Sequence, residues 1–534
     1  SSRSFQSSLL SMGSFTSARR VVANDGNALG DEGLIREART NESALLKEAY
    51  AIMALAIPMF VMSVSWVTLK VTDSAVLGHV GTKYLDATAL SDLWTSSTGV
   101  FIQSGVVGTF CGNAYGAGNK LLVGIWLQVA YAVLLSIMFP VAVCWVFTGP
   151  VLRAMGNMEE ESAIAGYFAT VLAVCLPVRV GFSQLRTFFS AQKILRPGVV
   201  CSTSAMLLNL VGALVLVLGF PIPGWSGLGF YACPWITTGV EYIQLFIVLF
   251  FFCYIQQLHH ECWPGWSPHE ITRGRVIEFL KQYVPAALSI GSDFWRVAAI
   301  GAIAKVLGKT QLGVFNVSYR ICWMCLIFMG AIAGAVGTQL TIALGKGSIT
   351  DAKRSTTVGL SIALVVVMIL GTIIVAIPRL IGRIFSDDIE VLDLFEESRF
   401  PLASFVVLMN LAVAIERIPM AAGKPKIVLY CGLAGSWLGQ VPGAWLCTQY
   451  WRKDLVGLFT GVSLGYALLV VLYLAVVARL DWENLVVEAR RRAEVKPSSV
   501  TASEGNSNMV SLQPEQFEEP PKDEESEEAG GTLA

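Results

Sequence analysis

Charge is scarce in this sequence of 534 residues. Asp, Glu, Lys and Arg together make up 14% of it, against 54% hydrophobic residues. A soluble globular chain carries about 25% charged residues. A deficit that large excludes a soluble protein, because one core cannot hide so much apolar surface and lipid must face part of it. A G-x-x-x-x-G-K-[ST] loop is absent, which removes the main support for ATP-driven work. No CxxC pair accompanies a His pair, so no metal site is expected. The eleven cysteines do not form a disulfide pattern. Most of them, such as Cys111, Cys144, Cys175, Cys201, Cys322, Cys325 and Cys431, sit in apolar runs and read as small core or lipid-facing residues. No nucleophile, base and orienting group converge, so no catalytic residue is assigned and the chain is not read as an enzyme. No cofactor and no nucleic-acid partner are expected.

Long apolar runs are what the sequence does have. Twelve spans follow one another, from 48–71 and 88–111 to 426–448 and 455–479. Each is long enough to cross a hydrocarbon core of about 30 Å at 1.5 Å per residue. Such segments must be helices, since lipid cannot satisfy open strand edges. The chain divides into a polar N-terminal tail (1–46), a six-helix lobe (47–256), an inter-lobe loop (257–276), a second six-helix lobe (277–480) and an acidic tail (481–534). Both tails are expected to be disordered. Residues 497–534 carry nine acids against Lys522 alone, so the rest of the chain is basic. The Ser/Arg-rich start, Ser1–Arg20, resembles an organelle transit peptide or a phosphorylatable cytosolic tail. Loops and flanks on the side of the termini hold seventeen Lys and Arg against eight opposite, which puts both termini in the cytoplasm. Acids such as Glu159–Glu161 and Asp387–Glu390 lie in the opposite hairpins. The plasma membrane is the expected location, with vacuolar or plastid envelope membranes as alternatives.

The second half of the chain echoes the first. Gly105, Gly108, Thr109, Ala114, Gly116 and Gly118 recur as Gly334, Gly337, Thr338, Ala343, Gly345 and Gly347 at a constant offset of 229. Pro197 is echoed by Pro425. Six spans per half give both halves the same orientation, hence a parallel repeat about an axis along the membrane normal. The fold class expected is an all-α polytopic membrane protein, with twelve helices in two six-helix lobes related by a parallel pseudo-two-fold. Substrate sites of such proteins lie near mid-membrane between the repeats.

The motifs that carry this repeat also resemble a known family. T-F-C-G-N-A-Y-G-A-G-N (Thr109–Asn119) is similar to the signature at the end of the second span of multidrug and toxin extrusion (MATE) transporters. G-H-V-G (Gly78–Gly81), L-R-T-F-F-S-A-Q-K-I-L-R-P (Leu185–Pro197) and A-L-G-K-G-S-I-T-D-A-K-R (Ala343–Arg354) resemble further family segments. W-P-G-W-S (Trp263–Ser267) looks like the eukaryotic, mammalian-type branch. The resemblance implies a monomeric secondary transporter that exports organic cations or drug-like xenobiotics in exchange for protons, or for sodium. It marks Gly78, Gly81, Cys111, Gly112, Tyr115, Gly116, Gly118, Gly345 and Gly347 as family-motif positions. Gly112, Gly116 and Gly118 read as structural, allowing close packing and a tight helix end.

Ionisable groups inside spans are costly and therefore candidates for function. Asp293 falls where the resemblance implies a cavity glutamate. It is either a site for a proton or a cation, or one half of an ion pair with Arg296 three residues on. Asp73 resembles an ion-coupling acid of bacterial relatives, or is bridged to Lys70. Phe294 and Trp295 are candidates for an aromatic wall, and Ser96 for a polar contact. Positions at which the eukaryotic members carry further acids hold Ala298, Arg320 and Met409. With Arg296, that loss opens the alternative of an organic anion, a carboxylate or a conjugate, as cargo. Asp92 reads as interfacial. Arg186 and Glu416 read as loop anchors near span ends.

Overall fold

The computed structural model describes residues 28–102, 105–385 and 388–494, with side chains from residue 42 onward. The Ser/Arg-rich start, Asp387 and the acidic stretch after 494 lie outside the described residues. Every regular element among those described is helical. The spans are α1 (Ala28–Val80), α2 (Thr82–Gly99 and Val106–Gly116), α3 (Lys120–Val146), α4 (Glu159–Val174 and Leu176–Ala191), α5 (Arg196–Val217) and α6 (Gly229–Ile255). The second set is α7 (Arg273–Leu307), α8 (Lys309–Lys346), α9 (Ile349–Ala376), α10 (Arg399–Ala421), α11 (pieces from Pro425–Leu433 to Cys447–Trp451) and α12 (Leu455–Ala478). Among the described residues, nine of these are long and apolar enough to cross a membrane alone. The bent pair forming α4 makes a tenth. The other two, α2 and α11, are interrupted.

Local chemistry explains the breaks. The pieces of α4 meet at 51° where Cys175 ends one and Pro177 opens the next, since proline cannot continue a ladder but suits a first turn. In α11, wide π-type turns at Ala434–Gln440 and Cys447–Trp451 flank Pro442. Clean starts carry side-chain caps. Asn119 Oδ1 accepts from Leu122 N at 3.2 Å, Ser348 Oγ from Asp351 N at 3.2 Å, and Asp454 Oδ1 from Gly457 N at 2.9 Å.

Two separate cores define two lobes. The first is built on Phe110, Trp126, Trp145, Phe168, Phe188 and Phe189. The second is built on Phe315, Phe395, Phe405, Phe459, Tyr466 and Tyr473. Two helices belong to both sides. The first half of α7 places Phe279 and Tyr283 in the first core, while Ile300 and Ala304 lie in the second. Its counterpart in the repeat, α1, packs Ile52, Leu55 and Met62 against Met329, Ile332 and Val336 of α8. The loop joining the lobes is docked rather than free. Gln128 Nε2 donates to Gly265 O at 2.8 Å and Gln128 Oε1 accepts from Ser267 N at 2.9 Å.

The tails differ from the sequence expectation where they are described. The first helix begins at Ala28, inside the polar tail. The acidic tail opens with a helix, α13 (Trp482–Ala493), capped by Asp481. It forms because Leu485, Val486 and Ala489 fall on one face and bury against Leu340, Leu344 and Ile418.

Candidate functional site: a cavity between two lobes and a charged cluster in each

At the end where α13 packs, the lobes touch backbone to backbone. A Cβ added at Gly116 would stand 2.2 Å from Ile342 O, and one at Gly345 would stand 2.2 Å from Asn113 O. The pairs 116/342 and 345/113 are interchanged by the repeat offset, so this is one contact made twice. Gly112 faces Thr341 just inside it, where a Cβ would lie 2.2 Å from Oγ1. Close approach of this kind needs residues without a side chain. Of the other motif residues, Cys111 is buried and its thiol donates to Val123 O at 3.5 Å. Tyr115 is half-buried, and Gly118 ends the turn after α2 at φ +79°. Gly347 caps α8 at φ +83°, a left-handed conformation that favours glycine. Gly78 and Gly81 lie at the α1–α2 junction, away from the seam. Across the seam lies α13, with Arg490 donating to Lys346 O at 3.1 Å and Asn119 donating to Ala493 O at 3.0 Å.

Behind the seam is a cavity of about 300 Å³. Both copies of the glycine motif line it: Gly105, Gly108 and Thr109 from α2, and Gly334, Gly337 and Thr338 from α8. Arg186 of α4 and Arg417 of α10 line it as well. Arg186 is thus a cavity residue and not a loop anchor. Gly198 of α5 packs against Met62 and the Arg186 stem, since a Cβ there would lie 2.4 Å from Met62 Sδ and 3.3 Å from Arg186 Cγ.

The first lobe holds a polar cluster in its interior. Asp73 on α1 is 4% exposed. It accepts from Asn209 Nδ2 of α5 and Thr237 Oγ1 of α6, both at 2.9 Å. Lys70 does not bridge Asp73; it reaches Asp92 of α2 at 3.4 Å. Asp92 is therefore an ion-pair partner inside the bundle rather than an interfacial residue. Arg179 of α4 donates to both carboxylate oxygens of Glu241 of α6, with Nε to Oε2 at 3.0 Å. Lys70 interacts electrostatically with the other four ionisable groups, Asp92, Arg179, Asp73 and Glu241. Sequence reading missed Arg179, Glu241, Asn209 and Thr237. The first two carried the same signal as Asp73, an ionisable group inside an apolar span.

The second lobe holds the Asp293 chamber. Arg296 is 5% exposed and donates to Asp293 Oδ1 at 2.9 Å and to Ser436 Oγ at 3.2 Å. Its guanidinium lies 5.2 Å from the Tyr466 ring. Its Nε and the Tyr319 hydroxyl have no hydrogen-bond partner among the described residues. About half of the Asp293 side chain is accessible although it lies deep in the protein. Glu416 interacts electrostatically with Asp293, Arg417 and Arg296, so it belongs to this chamber and not to a loop. Phe294 and Trp295 do not form one wall. Phe294 tilts against Trp323 of α8 at 6.2 Å, while Trp295 is 47% exposed. Arg320 is exposed one turn before Trp323. An unpaired arginine within a span is tolerated at an aqueous cleft and not in lipid. Ser96 of α2 is also exposed, one turn after Asp92. Among the described residues no group of three His, Cys, Asp or Glu gathers as a metal site.

The sequence matches the MatE family model over residues 58–215 and 285–446, one segment in each lobe. The chain belongs to the MatE family. Among curated relatives of this MatE protein, Protein DETOXIFICATION 14 of Arabidopsis thaliana is 25% identical over 467 residues, spanning 86% of this chain and 93% of that one. Multidrug and toxin extrusion protein 1 of Pongo abelii is 24% identical over 473 residues, covering 88% and 81%. The crystal structure of the eukaryotic MATE transporter AtDTX14 superposes with a TM-score of 0.77 at 23% identity, covering 84% of this chain and all of that one. The chain is accordingly a multi-pass membrane transporter of the multidrug and toxin extrusion family, with its twelve helices in two lobes.

Proposed function

We propose that this MatE protein is a proton-coupled antiporter that exports organic ions from the cytoplasm, with cationic, drug-like compounds as its first class of cargo. The carrying observation is Asp73, a buried carboxylate held by donors from two other helices. Protonation removes the charge that Asn209 and Thr237 solvate, so the packing of α5 and α6 on α1 responds to proton occupancy. A bundle so biased shifts the equilibrium between outward- and inward-open states. Asp293, accessible in its chamber beside Trp295, supplies the charge that a cationic cargo requires, with Glu416 in support. Each proton supplies about 1.4 kcal/mol per pH unit. A potential of 100 mV adds about 2.3 kcal/mol per charge moved. One or two protons thus drive a tenfold to hundredfold gradient. The alternative cargo, an organic anion, is favoured by the pairing of Asp293 with Arg296 and by the exposed Arg320. The proposal includes cytoplasmic termini, a monomer, and the plasma membrane as location.

The test is flux into proteoliposomes under an imposed pH gradient, with one organic cation and one organic anion. Wild type is compared with Asp73→Asn and Asp293→Asn. Gradient-dependent cation flux that both variants lose supports the proposal. Flux that ignores the gradient, or survives both substitutions, refutes it.

A further inference from the structure

We propose that α13 is a releasable latch: it rides on the second lobe, fastens to the first through the Asn119 side chain, and lets go of that lobe before this end of the protein opens. The helix occurs once, whereas the lobes beneath it are related by the repeat. Its last turn touches both copies of one element, the turn that follows the glycine motif. Arg490 donates to Lys346 O, beside Gly347, at 3.1 Å. Three residues on, Ala493 O accepts from Asn119 Nδ2 at 3.0 Å. Asn119 and Ser348 are counterparts at the offset of 229. One helix turn reaches both of these turns only while they lie side by side, so α13 bridges a closed seam and cannot bridge an open one.

The two attachments are unequal. On the second lobe, Leu485, Val486 and Ala489 bury against Leu340, Leu344 and Ile418. Lys424 Nζ, in the exit turn of α10, donates to both oxygens of Glu488 at 2.6 and 2.8 Å, and Arg492 donates to the same carboxylate at 3.0 Å. Arg490 satisfies a carbonyl at the C-terminal end of α8, where the helix has no partner of its own to offer. On the first lobe, the polar hold is the Asn119 amide, given to a carbonyl at the end of α13 that is orphaned for the same reason. When the lobes part, α13 therefore stays with the second.

Asn119 has the two arms this role needs. Its Oδ1 caps α3 by accepting from Leu122 N at 3.2 Å, which leaves Nδ2 to hold Ala493 O. Ser348 performs the first task alone, accepting from Asp351 N at 3.2 Å. Serine and asparagine cap a helix about equally well, so capping does not account for the difference between the two copies. The donor arm does, and it stands on the lobe that does not carry α13. The inference needs only that the lobes separate at this end during transport, and it holds for any cargo and any coupling ion.

The experiment compares wild type with Asn119→Asp and Asn119→Ser, as the full chain in lipid nanodiscs, by hydrogen exchange read by mass spectrometry, without cargo or gradient. Both substitutions keep the cap acceptor and remove the amide donor. A hydrogen bond of ordinary net strength changes an opening equilibrium by about two- to tenfold. Exchange over 107–117 and 336–346 is expected to quicken by that factor in both variants. Exchange over 482–494 is expected to stay within about twofold of wild type, because α13 remains on the second lobe. Glu488→Gln, which loosens the other attachment, is expected to quicken 482–494 as well. Unchanged exchange at the seam in both Asn119 variants overturns the latch. So does quickening at 482–494 equal to that at the seam in the Asn119 variants, which makes the bond a mere stability contact of α13, or quickening that extends to 162–174 in the first lobe, which marks a general loss of the fold. A seam that opens as expected in a protein whose flux ignores a pH gradient keeps the latch and counts only against the proposed coupling.

Discussion

Alanine at Gly116 or Gly345 gives the sharpest test of how the lobes close. The added Cβ would lie 2.2 Å from a carbonyl oxygen and within 3.0 Å of two further backbone atoms. Non-bonded heavy atoms rest at roughly 3.5 Å, so α2 and α8 must part by about 1 Å. No rotamer relieves the clash, because everything it meets is main chain. Overpacking of this kind costs about 1–3 kcal/mol. An equilibrium between sealed and open ends biased by that amount shifts by about 5- to 150-fold. The effects should be strongly sub-additive, since lobes parted by one Cβ accept the second. Hydrogen exchange read by mass spectrometry on peptides covering 107–119 and 336–348 is expected to quicken in each variant, and proteoliposome flux to fall with it. Gly105→Ala is the control, because nothing lies within 4 Å of its new Cβ. Gly112→Ala should fall between, since the Thr341 side chain it strikes can rotate. The reasoning is refuted if Gly116→Ala and Gly345→Ala exchange like the control, or if their effects add in full.

Further predictions concern the charged clusters and the cap. Glu241→Gln strands the buried Arg179 and is expected to cost about 3 kcal/mol, read as a lowered melting temperature in detergent; an unchanged value refutes the pairing. Thr237→Val removes one of two donors to Asp73 and should cost about 1.5–3 kcal/mol while slowing gradient-driven flux. Gly347→Ala forces a left-handed residue and drives a Cβ to within 2.1 Å of Arg490 Nη2, so α13 should become protease-sensitive at a cost of at least about 1 kcal/mol.

The spans, the repeat and the close-packing glycines were legible in the sequence because each depends on local composition or on spacing within a segment. Partnerships across helices were not. Lys70 stands three residues from Asp73 yet reaches Asp92, because the rotation of α1 decides which neighbour it meets. The same holds for Arg186 and Glu416. Their distance from span ends was readable, but the face of the helix that carried them was not. The cap α13 went unseen for a different reason. Its buried apolar stripe is only four residues long, and its helical state depends on the α8 and α10 surface beneath it.

The seam has a further consequence, for the origin of the fold. Asn113–Gly345 and Ile342–Gly116 are a motif in contact with its own copy. A half-length chain carrying one motif makes both contacts by pairing with a second identical chain. Fusing the two adds a linker and requires no new surface. It also ties the copies together: a side chain gained at either glycine is met at the same axis by the other half, so neither half can drift alone.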